Sequence, residues 1–142
     1  MAKHNQTGRS KSGARFIMLH EYIVRSYAWG RLSPLARCAW IEVQFLHNGS
    51  NNGRICISSR LLAERLGCGK TAAADAILDL MRWGFLDRVK ASDFGKKKEC
   101  AEYRITTERC NVTGTAASKR FMRIGAADDV VVPMRQAAEA RQ

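Results

Sequence analysis

Residues 58–86 read SSRLLAERLGCGKTAAADAILDLMRWGFL, and the spacing of their apolar and small residues predicts two short helices joined by a tight turn. Ser58 can accept a hydrogen bond from the free N–H groups of a helix start, and Leu62, Ala63 and Leu66 fall on one face of the helix that follows. Gly67 ends it. Gly67, Cys68 and Gly69 supply the turn, because glycine tolerates backbone angles that other residues resist. Lys70 or Thr71 opens the second helix, whose inner stripe is Ala73, Ile77 and Leu80. Ala73 and Ala76 are small, as a close crossing of two helices requires. The outer stripe is Lys70, Thr71, Ala74, Asp75, Leu78 and Arg82.

Gly84 stops the second helix, and Phe85, Leu86, Asp87, Arg88 and Val89 begin an extended run. A loop over residues 90–98 follows, and then Glu102, Tyr103, Arg104, Ile105 and Thr106 alternate polar and apolar as a half-buried strand does. The two runs can pair as a hairpin with Phe94, Gly95, Lys96, Lys97 and Lys98 at its tip. Arg54, Ile55, Cys56 and Ile57 form a further short extended run that can add a third strand.

Upstream, Ser33 caps and Pro34 opens a helix running to about His47, with Asn48 and Gly49 as stop signals. Leu35, Cys38, Ile41 and Phe45 make one apolar stripe, and Ala39, Val43 and Leu46 make another beside it, widened by Trp40. A helix so apolar around its circumference reads as the hub of the core. Residues 16–29 place Leu19, Tyr22, Ile23, Ser26 and Tyr27 at helical spacing, which predicts one more helix. Its aromatics Tyr22 and Tyr27, with Trp29, can pack on the hub or form the seam of a homodimer. The class expected is therefore α+β, mostly α, with a small antiparallel sheet.

The chain has 142 residues, the size of one domain, and 24 Lys and Arg against 13 Asp and Glu give it a net charge of +11. The excess is uneven. Residues 1–15 carry Lys3, Arg9, Lys11 and Arg15 with no acid, and residues 88–98 carry Arg88, Lys90 and the three consecutive lysines against Asp93. Basic segments of this kind suit a phosphate backbone, because each neutralised phosphate releases counterions. The plainer alternative is a solvated surface that keeps the protein soluble.

The order helix, strand, helix, helix, hairpin resembles the winged helix-turn-helix family of bacterial, phage and mobile-element DNA-binding proteins. The resemblance covers residues 32–107, about half the chain, and rests on LLAERLG, GKTAAADAILDL, WGFLDRV and the lysine-rich hairpin tip. HNGSNNGRICIS is similar to the loop before the first strand in helix-turn-helix proteins of mobile elements and phage replication modules. The resemblance implies that residues 70–83 form a recognition helix in the major groove, braced by the helix beginning at Ser58, with the wing on the backbone or minor groove. In this reading Ser58, Ser59 and Arg60 hold a phosphate. Lys70, Thr71, Ala72 and Asp75 face base edges, Lys96, Lys97 and Lys98 hold the flanking backbone, and Arg15 reaches a neighbouring groove with the basic arm. Many relatives carry a basic or amide side chain where Ala74 and Asp75 stand here, so the usual strong contacts to guanine or adenine are missing at those positions.

The expected partner is double-stranded DNA, and the expected function is to occupy specific sites as a transcriptional regulator. A plasmid or phage replication or maintenance factor at repeated origin sites is the second reading, and a protein-interaction module on the same surface the third. No enzyme activity, cofactor or metal is expected. His4, His20 and His47 are isolated from one another, and no nucleophile is spaced with a base. Cys38, Cys56, Cys68, Cys100 and Cys110 lack zinc-site spacing and fit a reduced compartment, with Cys38 and Cys56 read as small core residues. With no run of about 18 apolar residues and no secretory signal, a cytoplasmic, nucleoid-associated location is expected. Residues 1–15 read as a flexible arm, 16–107 as the DNA-binding domain, and 108–142 as a linker and tail with a short helix over 134–141.

Overall fold

The computed structural model describes residues 14–93, Gly95 and residues 99–127. Its centre is a helix, α3 (Pro34–Leu46), started by the Ser33 hydroxyl accepting from the Ala36 N–H, with proline in the first turn where a missing N–H costs nothing. Ahead of it stand two short helices, α1 (Glu21–Val24) and α2 (Tyr27–Arg31), where the sequence predicts one. The break is at Ser26. Its Oγ donates to the Ile23 carbonyl at 2.6 Å and accepts from the Trp29 N–H at 3.2 Å, so the hydroxyl closes one helix and caps the next.

Following α3 come β1 (Ile55–Cys56), α4 (Ser59–Leu66), α5 (Lys70–Arg82), β2 (Leu86–Lys90) and β3 (Glu102–Ile105). The described residues thus form an α+β fold of five α-helices and one three-stranded antiparallel sheet in the order β1-β3-β2. Ile55 pairs with Tyr103, and Leu86 with Ile105. The register shifts between Arg88 and Lys90, leaving Val89 as the extra residue of a bulge.

The core forms where α3 packs on α4 and α5 and the sheet closes beneath them. Ala36, Ala39, Trp40 and Val43 of α3 are buried, with Leu62 and Ala63 of α4 and Ala73, Ala76, Ile77 and Leu80 of α5. The stripe of Leu35, Cys38, Ile41 and Phe45 differs from expectation. Cys38 is exposed, and Ile41 and Phe45 are 42% and 40% exposed, because α3 meets its neighbours along the small-residue side where helices can approach closely.

Within residues 108–127, the described part of the stretch expected as a linker, Cys110 and Phe121 are buried. Phe121, in a 3-10 turn (Arg120–Arg123), is fully buried and stacks on Phe85 at 4.7 Å between ring centroids. Gly84 permits this approach: its φ is +81°, and a Cβ there would lie 2.7 Å from the Phe121 nitrogen. The aromatics offered for a dimer seam are used within the chain. Tyr22 stacks on Phe121, Tyr27 sets its edge to Trp83, and Trp29 packs on Phe85.

Asn52 locks the loop before β1 to this segment. Fully buried, its Oδ1 accepts from the Ile105 N–H at 2.8 Å, and its Nδ2 lies 3.0–3.1 Å from the carbonyls of Ile105, Glu108 and Arg109.

Candidate nucleic-acid interface

The turn between α4 and α5 has the predicted chemistry. Gly67 closes α4 in the left-handed region at φ 66°, and Gly69 stands before α5 in extended conformation, offering no side chain to the first turn. The leading N–H groups of α5 therefore meet no capping side chain, and the positive end of a 13-residue helix dipole faces outward. Lys70, Thr71 and Asp75 are exposed there, whereas Ala72, Ala74 and Leu78 are half-buried. Arg82 lies at the other end, about 18 Å along the axis, with its guanidinium 5.1 Å from the Trp83 ring centroid.

On α4, the Ser58 Oγ accepts from the Leu61 N–H at 3.1 Å, so this hydroxyl is the helix cap itself. Ser59 is half-buried. Arg60 is highly exposed and lies 3.9 Å from Glu64, a separation that leaves its guanidinium open to other partners.

The hairpin of β2 and β3 ends in a loop closed by paired backbone hydrogen bonds between Asp93 and Glu99. Lys90 forms an ion pair with Glu99, and the hydrogen bond and charge of that carboxylate raise the Lys90 ammonium above its ordinary pKa. Arg88 is half-buried with its guanidinium 6.0 Å from the Tyr103 ring centroid. Those two cations thus serve the hairpin's own structure. Lys96, Lys97 and Lys98, with Phe94, lie outside the described residues, as do Lys3, Arg9 and Lys11 of the basic arm and the helix expected over 134–141.

Arg15 does not stand free as the end of an arm. Its guanidinium donates to the carbonyls of Phe45 and His47, at 2.7 Å for the latter, where the C-terminal end of α3 needs donors. Arg120 and Arg104 are similarly engaged. Arg120 donates to the Met81 carbonyl and pairs with Asp87 at 2.8 Å, and Arg104 pairs with the same carboxylate at 2.9 Å.

The cysteines depart most from the sequence reading. Cys56 is exposed, not in the core, and it is joined to Cys100 by a disulfide spanning 44 positions. Antiparallel pairing of β1 with β3 brings the two together, a long-range register that spacing along the chain does not reveal. Among the described residues, no group of three His, Cys, Asp or Glu side chains is placed to hold a metal ion, and no helix is long and apolar enough to cross a membrane.

The chain matches no known family model, no curated protein and no solved structure.

Proposed function

We propose that this is a winged-helix protein that occupies specific sites on duplex DNA and acts as a transcriptional regulator. The observation that carries the reading is the first turn of α5, which is uncapped, faces solvent and bears Lys70 and Thr71. Backbone N–H groups at such a terminus suit a phosphate, and the helix behind them has the dimensions the major groove admits. Around it, α4 contributes Arg60, and the β2–β3 hairpin stands in the place of a wing. Base contact then falls to Lys70, Thr71 and Asp75, while half-buried Ala72 offers a methyl group for apolar contact. Ser58 acts as the cap of α4, leaving its phosphate contact to the adjoining backbone.

The test is selection from a random duplex pool against unlabelled competitor at two salt concentrations. An enriched motif, lost in Thr71→Ala or Asp75→Ala while general affinity survives, supports base readout by α5. Retention without a motif would reduce the reading to shape or backbone recognition, and no retention at either salt would remove DNA binding altogether.

A further inference from the structure

We propose that Cys56 and Cys100 form a reversible dithiol–disulfide site, with a glutathione-class thiol or disulfide as co-reactant, that sets how firmly the wing is tied to the strand entering α4. Cys56 lies in β1 and Cys100 two residues before β3, with their Cα atoms 5.9 Å apart, and the two are joined in the structure. Cys56 is exposed and Cys100 half-buried, so a small dissolved thiol can reach the bond from the Cys56 side.

Their places in the fold give the bond its effect. Cys100 immediately follows Glu99, which closes the wing loop against Asp93 and Lys90. Cys56 lies two residues before Ser58, the cap of α4. Without the bond, the wing's returning strand is held to β1 by a very short ladder. Only Ile55 with Tyr103 and Cys56 with Glu102 pair as strand residues, extended by the Ile57 N–H donating to the Ala101 carbonyl at 3.3 Å. A two-residue strand supplies little stabilisation by itself. The covalent link therefore governs local opening of the wing's foot.

Reduction proceeds by two exchanges. A glutathione thiolate attacks the exposed Cys56 sulfur, the Cys56–Cys100 bond breaks, and Cys100 leaves as a thiolate that takes a proton. A second glutathione thiolate then attacks the glutathione sulfur of the mixed disulfide, releasing Cys56 and forming glutathione disulfide. Two electrons pass to the protein pair, and glutathione disulfide reverses both steps. The remaining described cysteines, Cys38, Cys68 and Cys110, are free and need not take part.

The consequence for DNA rests on the proposed function, but the redox site does not. The full chain is equilibrated in graded mixtures of glutathione and its disulfide, quenched, alkylated and peptide-mapped, and its backbone hydrogen exchange is measured at both extremes. The linked Cys56–Cys100 peptide is expected to disappear and return reversibly, with exchange at the Ile57 N–H, which donates to Ala101, at least about tenfold faster in the reduced form and little change in α3. The double variant C56S/C100S should show the reduced pattern in every mixture. A peptide that stays linked, or never links, across the whole range overturns the proposal, as does identical exchange in the two states. Affinity for duplex DNA, read in parallel, should fall about threefold on reduction. Failure to bind DNA in either state would count against the proposed function, with the exchange data still deciding the redox site.

Discussion

Replacing Asn52 by Ala should be among the most damaging single changes in this chain, although Asn52 is fully buried and lies outside the surface proposed to meet DNA. The side chain is fully buried and serves backbone groups of two segments at once. Truncation strands the Ile105 N–H, a buried donor, together with the Ile105 carbonyl, while the Glu108 and Arg109 carbonyls are only part-buried and can find water. Each stranded buried group costs about 1–3 kcal/mol, giving about 3–5 kcal/mol for the variant. Against a total of about 5–15 kcal/mol for a domain, that is a large share. In a chain of this size the melting temperature should drop by roughly 10 °C or more. Urea denaturation followed by circular dichroism measures the free-energy loss, and a thermal melt the shift in melting temperature. Asn51→Ala is the control. Asn51 is half-buried and bonds only the Asn48 N–H and the Leu46 carbonyl, so it should lose about 1 kcal/mol or less. Asn52→Asp keeps an acceptor for the Ile105 N–H but turns a charged oxygen toward three carbonyls, so it should match or exceed the alanine loss at neutral pH. A loss below about 1 kcal/mol for Asn52→Ala, with an unchanged denaturant slope, would refute the bridging role.

Phe121→Ala should cost about 3–5 kcal/mol in the same assay, as expected of a fully buried aromatic; a negligible loss would mean that the C-terminal segment is not part of the folded unit. Gly84→Ala should cost about 2 kcal/mol or more, since the new methyl meets the Phe121 backbone at a positive φ, and a thermal melt unchanged from the parent would contradict that close approach. Burial, with a smaller push from Arg15 and against a pull from Glu108, lowers the His47 pKa below its ordinary value of 6.5. The unfolded chain then takes up the proton first on acidification, so this contribution to stability is full above about pH 6.5 and is lost as pH falls through the lower folded value. His47→Gln should flatten that part of the stability profile, and an identical profile would exclude His47 as its source. Replacing Lys96, Lys97 and Lys98 together by Ala should weaken binding to all DNA sequences alike and reduce the salt slope by about three or less, measured by fluorescence titration at several salt concentrations; unchanged affinity would remove the wing from the interface.

Local rules carried well wherever the chain's short-range chemistry decided the outcome. Ser33, Ser58, Gly67 and Pro34 mark helix ends in the sequence and occupy those ends in the structure, because caps depend on residues within one turn. The inner stripe of α5 was legible for the same reason. Failures came where tertiary partners chose among locally equal options. Both stripes of α3 are apolar, and only the placement of α4 and α5 selects Ala36, Ala39, Trp40 and Val43 over Ile41 and Phe45. Ser26 looks like one more residue of an amphipathic stripe until its hydroxyl is seen to close α1 and cap α2. Phe121 lies in the short run KRFMRI that follows a stretch of Gly, Ala, Ser and Thr, with no periodicity to betray a core residue, and its counterpart signal is Gly84, 37 positions earlier, which only the contact explains.

The same separation between local and long-range information governs the charge. The net +11 suggests a broad electrostatic footprint, yet much of the described positive charge is engaged in holding the fold together. Arg15 completes the end of α3, Arg65 pairs with Glu42 at 2.9 Å, Arg104 and Arg120 share Asp87, and Lys90 pairs with Glu99. A cation with its carboxylate beside it releases few counterions from DNA, because the acid repels the phosphate that the cation attracts. If the chain binds DNA as proposed, salt dependence should therefore follow Lys70 and Lys96, Lys97 and Lys98, with a smaller share from Arg60, which lies 3.9 Å from Glu64. A logarithmic salt slope near the full net charge would require the internal ion pairs to open on binding, and would show that the surface presented to DNA is a rearranged one.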